Sequence, residues 1–167
     1  MFKRSKERSS AKGDRGSLRL LWFTVIASIG LTIFLQWYPL AAFQLSRSII
    51  RVIALCLLIG GFIIRWISII SLGKYFTVNV AIQEEHILFV RGMYKYVRHP
   101  SYTGLLIEFI GLAVYFGTWV NLIIIVIPIT GAMIYRIRCE EIVLVEKFGK
   151  QYKEYMAHTK SLIPRIV

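Results

Sequence analysis

The sequence predicts an all-α integral-membrane protein of about four transmembrane helices, with a small cytoplasmic β-hairpin and a carboxy-terminal amphipathic helix. Three observations carry this. Hydrophobic residues make up 56% of the 167-residue chain, and its mean hydropathy is +0.61, above what a soluble domain carries. The apolar residues come in long blocks, as a bilayer solvent demands. The cations that give the net charge of +12 sit at the borders of those blocks, which suits anionic lipid headgroups rather than nucleic acid.

In chain order, residues 1–17 are basic, polar and poor in aromatics, the composition of a disordered tail. The apolar block that follows is too long for a signal-peptide core and has no small-residue cleavage site after it, so it reads as a retained anchor. The first span covers about Leu18–Ala42, with Trp37 and Tyr38 placed as an interfacial belt and Pro39 bending or ending it. The second covers about Ile49–Leu72. Residues 101–117 and 119–137 make two more, joined at Gly117-Thr118; Pro128 and Gly131 invite a kink in the last. This divides the chain into a basic tail (1–17), a transmembrane helical hairpin (18–72) and a core carrying the chemistry (73–165).

Seven Lys and Arg residues lie in the first 19 positions, four in 74–98 and seven from Arg136 onward, against only Arg47 and Arg51 on the far side. The positive-inside rule then makes both termini and the 73–100 segment cytoplasmic, at the plasma membrane if the cell is prokaryotic. Within that segment Phe76, Val78, Val80 and Ile82 alternate with Tyr75, Thr77, Asn79 and Ala81, the strand period. A turn at Gln83–His86 and a return strand at Ile87–Val90 complete the expected hairpin. After the fourth span, Ile137, Leu144, Val145 and Phe148 repeat with charges between them, so the helix continues as an amphipathic one. Gly149 interrupts it and Pro164 ends it.

The stretch Arg91–Gly104 is a polar segment between greasy runs. His99 precedes a proline, which disfavours helix at His99 and suits Pro100 to a first helical turn. Arg98 and His99 then stand at a helix N-terminus that favours an anion, or snorkel to headgroups. Glu108 lies about 12 Å into the third span, at 1.5 Å per residue, where a carboxylate by default marks a functional site. Arg65 lies at similar depth in the second span, so the two are a structural pair or part of a site. Arg136 precedes Glu140 by four residues, an ordinary helix pair. Glu141 points about 100° away and is left for another partner. Tyr152, Tyr155, Lys150 and Lys153 read as an interfacial helix face. Cys56 and Cys139 suggest neither a disulfide framework nor a metal site, and His86, His99 and His158 lack metal-ligand spacing.

Together, Gly92-x-Tyr94, Arg98-His99-Pro100-x-Tyr102-x-Gly104, Glu108, Arg138-x-Glu140-Glu141, Phe148-Gly149-x-x-Tyr152-x-x-Tyr155 and Ile163-Pro164 resemble the isoprenylcysteine carboxyl methyltransferase family, and the phospholipid methyltransferases over the same region. The resemblance covers about residues 72–165. It implies S-adenosyl-L-methionine bound at the cytoplasmic ends of the last two spans under a carboxy-terminal lid. It gives Tyr94, Val97, Arg98, His99, Tyr102, Gly104, Glu140 and Glu141 to the cofactor. It also implies a lipophilic or lipidated acceptor drawn from the bilayer, with membrane lipids as surroundings and no metal or nucleic acid. Glu108, Arg65 and Arg138 are the candidate catalytic residues: an arginine (Arg65, Arg136 or Arg138) orients a carboxylate acceptor, and Glu108 is the base an amine or phenol acceptor needs. Competing readings are a phospholipid N-methyltransferase, an NADPH-dependent sterol-reductase-like enzyme (where Ser101 replaces an asparagine) and a non-enzymatic membrane scaffold.

Overall fold

The computed structural model describes residues 2–38, 41–73 and 88–162, with side chains from residue 16 on. It is helical: α1 (Phe2–Leu35), α2 (Arg47–Leu72), a 3-10 turn at Gly92–Lys95, α3 (Pro100–Tyr115), α4 (Trp119–Phe148) and α5 (Lys150–His158). Among the described residues three helices, Gly16–Leu35 within α1, α2 and α4, are long and apolar enough to cross a membrane. At 16 residues, α3 is about 24 Å long, short of the roughly 30 Å hydrocarbon core.

One expectation meets a different outcome, and another falls mainly outside the described residues. The basic stretch read as a disordered tail is helical from Phe2 and continuous with the apolar part of α1. Its Lys, Arg, Glu and Ala residues are good helix formers, and elongating an existing helix avoids the cost of nucleation. The hairpin falls mainly on residues 74–87, which lie outside the described residues, and residues 88–90 adopt no regular structure.

Helix packing orders the four long elements α1–α4–α3–α2: α1 lies along α4, α2 along α3, and α3 and α4 pack on each other. Buried positions on α4 (Asn121, Ile125, Ile129, Ala132, Met133, Arg136) repeat at helical spacing and form its core face. Leu21 and Val25 of α1 and Ala113 of α3 join that core. The outer side of α2 presents Leu55, Ile59, Phe62, Trp66 and Ile70, an apolar face suited to lipid.

The α2–α3 seam works differently. Ala54, Gly61 and Ser68 of α2 and Gly104 and Gly111 of α3 are buried at seven-residue spacing, the small-residue pattern that lets membrane helices approach closely. A Cβ on Gly61 would stand 2.6 Å from the Gly104 carbonyl oxygen, and one on Gly104 would stand 2.6 Å from that of Gly61.

At the end remote from the polar chemistry, the α1–α2 connection pairs with the α3–α4 turn. Phe43 N–H donates to Gly117 O (2.8 Å) and Trp119 N–H to Ala41 O (3.1 Å). Gly117 adopts φ +75°, a conformation that favours glycine. The tight turn folds α4 back along α3, so the start of α3 and the end of α4 lie side by side.

Candidate functional site

Pro100 occupies the first turn of α3 and His99 caps it with φ −126°, as the missing proline N–H and the restriction on the preceding residue require. Gly149, at φ +56°, ends α4 and starts α5, turning the chain back over the α3 entrance. Residues 159–162 then run beside 97–99. Arg98 N–H donates to Lys160 O (2.8 Å) and His99 N–H to Ser161 O (3.0 Å). The Thr103 hydroxyl donates to Leu162 O (2.6 Å), and Arg98 Nη1 donates to the Thr159 carbonyl. The returning chain takes the Arg98 and His99 amides, so side chains supply the cationic character.

Those side chains converge on the two acids of α4. Arg98 Nε pairs with Glu141 Oε1 at 2.7 Å, and His99 Nε2 lies 3.2 Å from the same oxygen. His99 Nδ1 faces Glu140 Oε2 at 3.8 Å. Glu140 Oε1 accepts from the Tyr102 phenol at 2.6 Å and pairs with Arg136 Nη2 at 2.9 Å. The side chains of Arg98, His99, Glu140 and Glu141 are only 8–14% exposed. In so little water, opposite charges interact more strongly than at an open surface.

Three tyrosines floor the site. Tyr94 is 6% exposed and Tyr152 2%, and burial pushes both phenols well above the usual tyrosine range. The Tyr155 hydroxyl donates to the Tyr94 carbonyl, tying α5 to the 3-10 turn. Tyr152 and Tyr155 therefore face inward, while Lys150 and Lys153 of the same helix are exposed. Val97 is buried beside the returning chain. A cleft of about 470 Å³ opens alongside, lined by Leu88, Val90, Lys95, Tyr155, His158 and Thr159 among others.

Of the residues singled out from sequence, Tyr94, Val97, Arg98, His99, Tyr102, Glu140 and Glu141 gather here. Gly104 does not: it is spent on the α2–α3 seam, against Gly61 and Arg65. Glu108 shares that seam, its Cγ facing Gly61, and its buried Oε1 has no hydrogen-bond partner among the described residues. Arg65 stands across from Gly104 in the same seam. Arg138 is exposed on α4, whereas Arg136, two residues earlier, is fully buried within the site. Three contributors escaped the sequence reading. The inward roles of Tyr152 and Tyr155 were hidden among flanking lysines, and Ser17, whose Oγ accepts from Arg136 Nη1 at 2.9 Å, carries no local signal at all.

The fold and site define a helical membrane protein that holds paired acids and paired cations at the joined ends of two helices, beneath a folded-back carboxy-terminal segment. The sequence model of the isoprenylcysteine carboxyl methyltransferase family matches residues 52–146, and the chain belongs to that family. It is 35% identical over 112 residues to protein-S-isoprenylcysteine O-methyltransferase B of Arabidopsis thaliana, covering 66% of this chain and 57% of that one. Against the protein-S-isoprenylcysteine O-methyltransferase of Schizosaccharomyces pombe it is 33% identical over 131 residues, covering 77% and 56%. The solved structure of a eukaryotic intramembrane Ras methyltransferase superposes with a TM-score of 0.59 over 97% of this chain and 53% of that one, at 23% identity. The chain thus spans a little over half the length of these three relatives.

Proposed function

We propose that this protein is an integral-membrane methyltransferase that uses S-adenosyl-L-methionine and methylates the carboxylate of a prenylated or otherwise lipid-like acceptor, with its site and both termini cytoplasmic. The observation that carries the reading is the four-member charge cluster of Arg98, His99, Glu140 and Glu141 under the returning chain. The cofactor bears a carboxylate and an ammonium, and the cluster offers a guanidinium and imidazole for the first and two carboxylates for the second or for ribose hydroxyls. The present Arg98–Glu141 and His99–Glu141 contacts are what such a ligand replaces, each partner exchanging an internal counter-charge for an external one. Leu88, Val90 and Tyr155 in the neighbouring cleft give the nucleoside an apolar floor. When bound, the cofactor supplies a methyl group on a cationic sulfur.

The chain's own work is to bind, orient and exclude water. A carboxylate acceptor is ionised at neutral pH and asks for no general base, so positioning supplies the rate. This agrees with the site, where Glu140 and Glu141 are both committed to ion pairs. Of the arginines considered for orienting the acceptor, Arg136 is engaged with Glu140 and Arg138 is exposed. Arg65, half-buried in the α2–α3 seam with Glu108, is the one we assign, with Glu108 balancing its charge within the membrane. An amine acceptor, as in a phospholipid N-methyltransferase, would call for a free base facing the cofactor, and Glu108 faces α2 instead.

The test is calorimetric titration of detergent-purified protein with S-adenosyl-L-methionine, followed by methyl-labelled cofactor in membranes. Saturable binding and a base-labile (ester) label are expected. No binding at millimolar cofactor overturns the reading.

A further inference from the structure

The rim of the site is dominated by one sign of charge. Across residues 88–162 six cations are exposed, Arg91, Lys95, Arg138, Lys150, Lys153 and Lys160, against two exposed acids, Glu146 and Glu154. Three of the cations stand where the chain crosses the site. Lys95 lines the cleft beside it. Lys160 bridges to Val97, and its carbonyl accepts from the Arg98 N–H at 2.8 Å. Lys153 lies on α5 between Tyr152, buried in the floor, and Tyr155, whose hydroxyl donates to the Tyr94 carbonyl. We propose that this rim selects the acceptor by charge, favouring a lipid-borne carboxylate whose water-facing part is acidic and turning away one whose water-facing part is basic. This rests on the methyltransferase reading above and narrows its acceptor class.

The positive-inside bias accounts for cations at the ends of spans, but α5 and the returning chain are not span ends. Gly149 turns them back over the start of α3, which brings Lys153 and Lys160 over the site. Within the site, Arg98 and Arg136 pair with Glu141 and Glu140, so the surplus of positive charge belongs to the rim. An acceptor anchored in the bilayer by its lipid presents its carboxylate to the site. Its polar remainder stays on the aqueous side, against these lysines. Charge of one sign around a cleft raises the encounter rate of opposite charge by roughly ten- to a thousandfold, and a like charge there costs affinity. Exposed lysines act through solvent, so the preference falls on kcat/KM and fades with salt.

The experiment places the full-length protein in nanodiscs of phosphatidylcholine, a lipid without net charge. The probes are S-farnesylcysteine peptides with free carboxylates, preceded by a run of aspartates, of serines or of lysines. At saturating S-adenosyl-L-methionine and low salt, kcat/KM should fall in the order aspartate, serine, lysine, with the first and last at least roughly tenfold apart. The gap should close at about 1 M salt, where the screening length is about 3 Å. Lys95→Gln, Lys153→Gln and Lys160→Gln should each narrow it roughly two- to fivefold, and Arg47→Gln, at the remote end of α2, should leave it unchanged. Equal kcat/KM for the peptides, a preference for the lysine peptide, or a gap that none of the three lysine substitutions narrows overturns the proposal. If no peptide is methylated, the functional reading falls, and equilibrium binding of the same peptides, less that to empty nanodiscs, decides the role of the rim. Tighter binding of the aspartate peptide then supports charge selection, and equal or reversed affinities overturn it.

Discussion

Arg98 and Glu141, forty-three positions apart in sequence, meet at 2.7 Å across the joined ends of α3 and α4. On the proposed reading it is the contact that the cofactor's charged groups replace, which makes it the most informative place to perturb. Glu141→Gln keeps the shape and removes the charge, leaving Arg98 nearly buried beside an amide. Cofactor affinity should fall by roughly ten- to a hundredfold, from the loss of one charge-assisted contact, with a drop in thermal midpoint of only a few degrees. Titration calorimetry and a melting curve on the same preparation check both.

The α2–α3 seam makes a sharper statement about stability. Gly104→Ala places a methyl group 2.6 Å from the Gly61 carbonyl oxygen, a backbone atom that moves only if the helices part. Overpacking of this kind costs about 1–3 kcal/mol. Gly60→Ala, one residue away from the seam glycine on α2 with nothing within 4 Å, should be neutral or slightly stabilising, because alanine is the better helix former. Unfolding in mixed detergent micelles separates the two.

Tyr155 fastens the folded-back segment. Burial, the largest influence, pushes its phenol up to about 12, so it remains a donor to Tyr94 across any ordinary assay pH. A phenol raised above its unfolded value contributes stability that is complete below about pH 10 and is lost as pH climbs through its folded value. Wild-type stability should therefore decline between about pH 10 and 12, and Tyr155→Phe should show a smaller decline. At neutral pH the phenylalanine variant should release the carboxy-terminal segment to limited proteolysis sooner than the wild type.

Two arginines separate acceptor orientation from surface charge. Arg138 is exposed, so Arg138→Ala should leave activity and stability close to wild type, within about 0.5 kcal/mol. Arg65→Ala should leave cofactor affinity intact and cut methyl transfer by roughly a hundredfold or more, the signature of lost acceptor positioning. Single-turnover assays with labelled cofactor distinguish them.

Much of this was readable before any coordinates. Hydropathy and Pro, Gly and aromatic punctuation located α2, the α3–α4 turn and the break at Gly149, because those signals are local. Adjacent acids at a helix end, Glu140 and Glu141, pointed to two different partners by helical geometry alone, and their contacts with Arg136 and Arg98 follow that division. What stayed hidden is tertiary. Ser17 is one serine in a basic segment until α1 lies against α4. Gly104 sits inside a polar motif, yet its lack of a side chain serves the approach of α2. The amino-terminal stretch looked disordered because composition reports the absence of a core, whereas helix there is inherited from the apolar segment that follows.

The central claim is that the Arg98–His99–Glu140–Glu141 cluster binds a methyl donor for transfer to a lipid-borne carboxylate. Membranes carrying the wild type, Glu141→Gln or no protein should be incubated with methyl-labelled S-adenosyl-L-methionine and the extracted label treated with base. The account predicts base-labile label in the lipid-soluble fraction for the wild type, little for Glu141→Gln and none for the empty membranes. Label that resists base, or equal label in all three preparations, would contradict it.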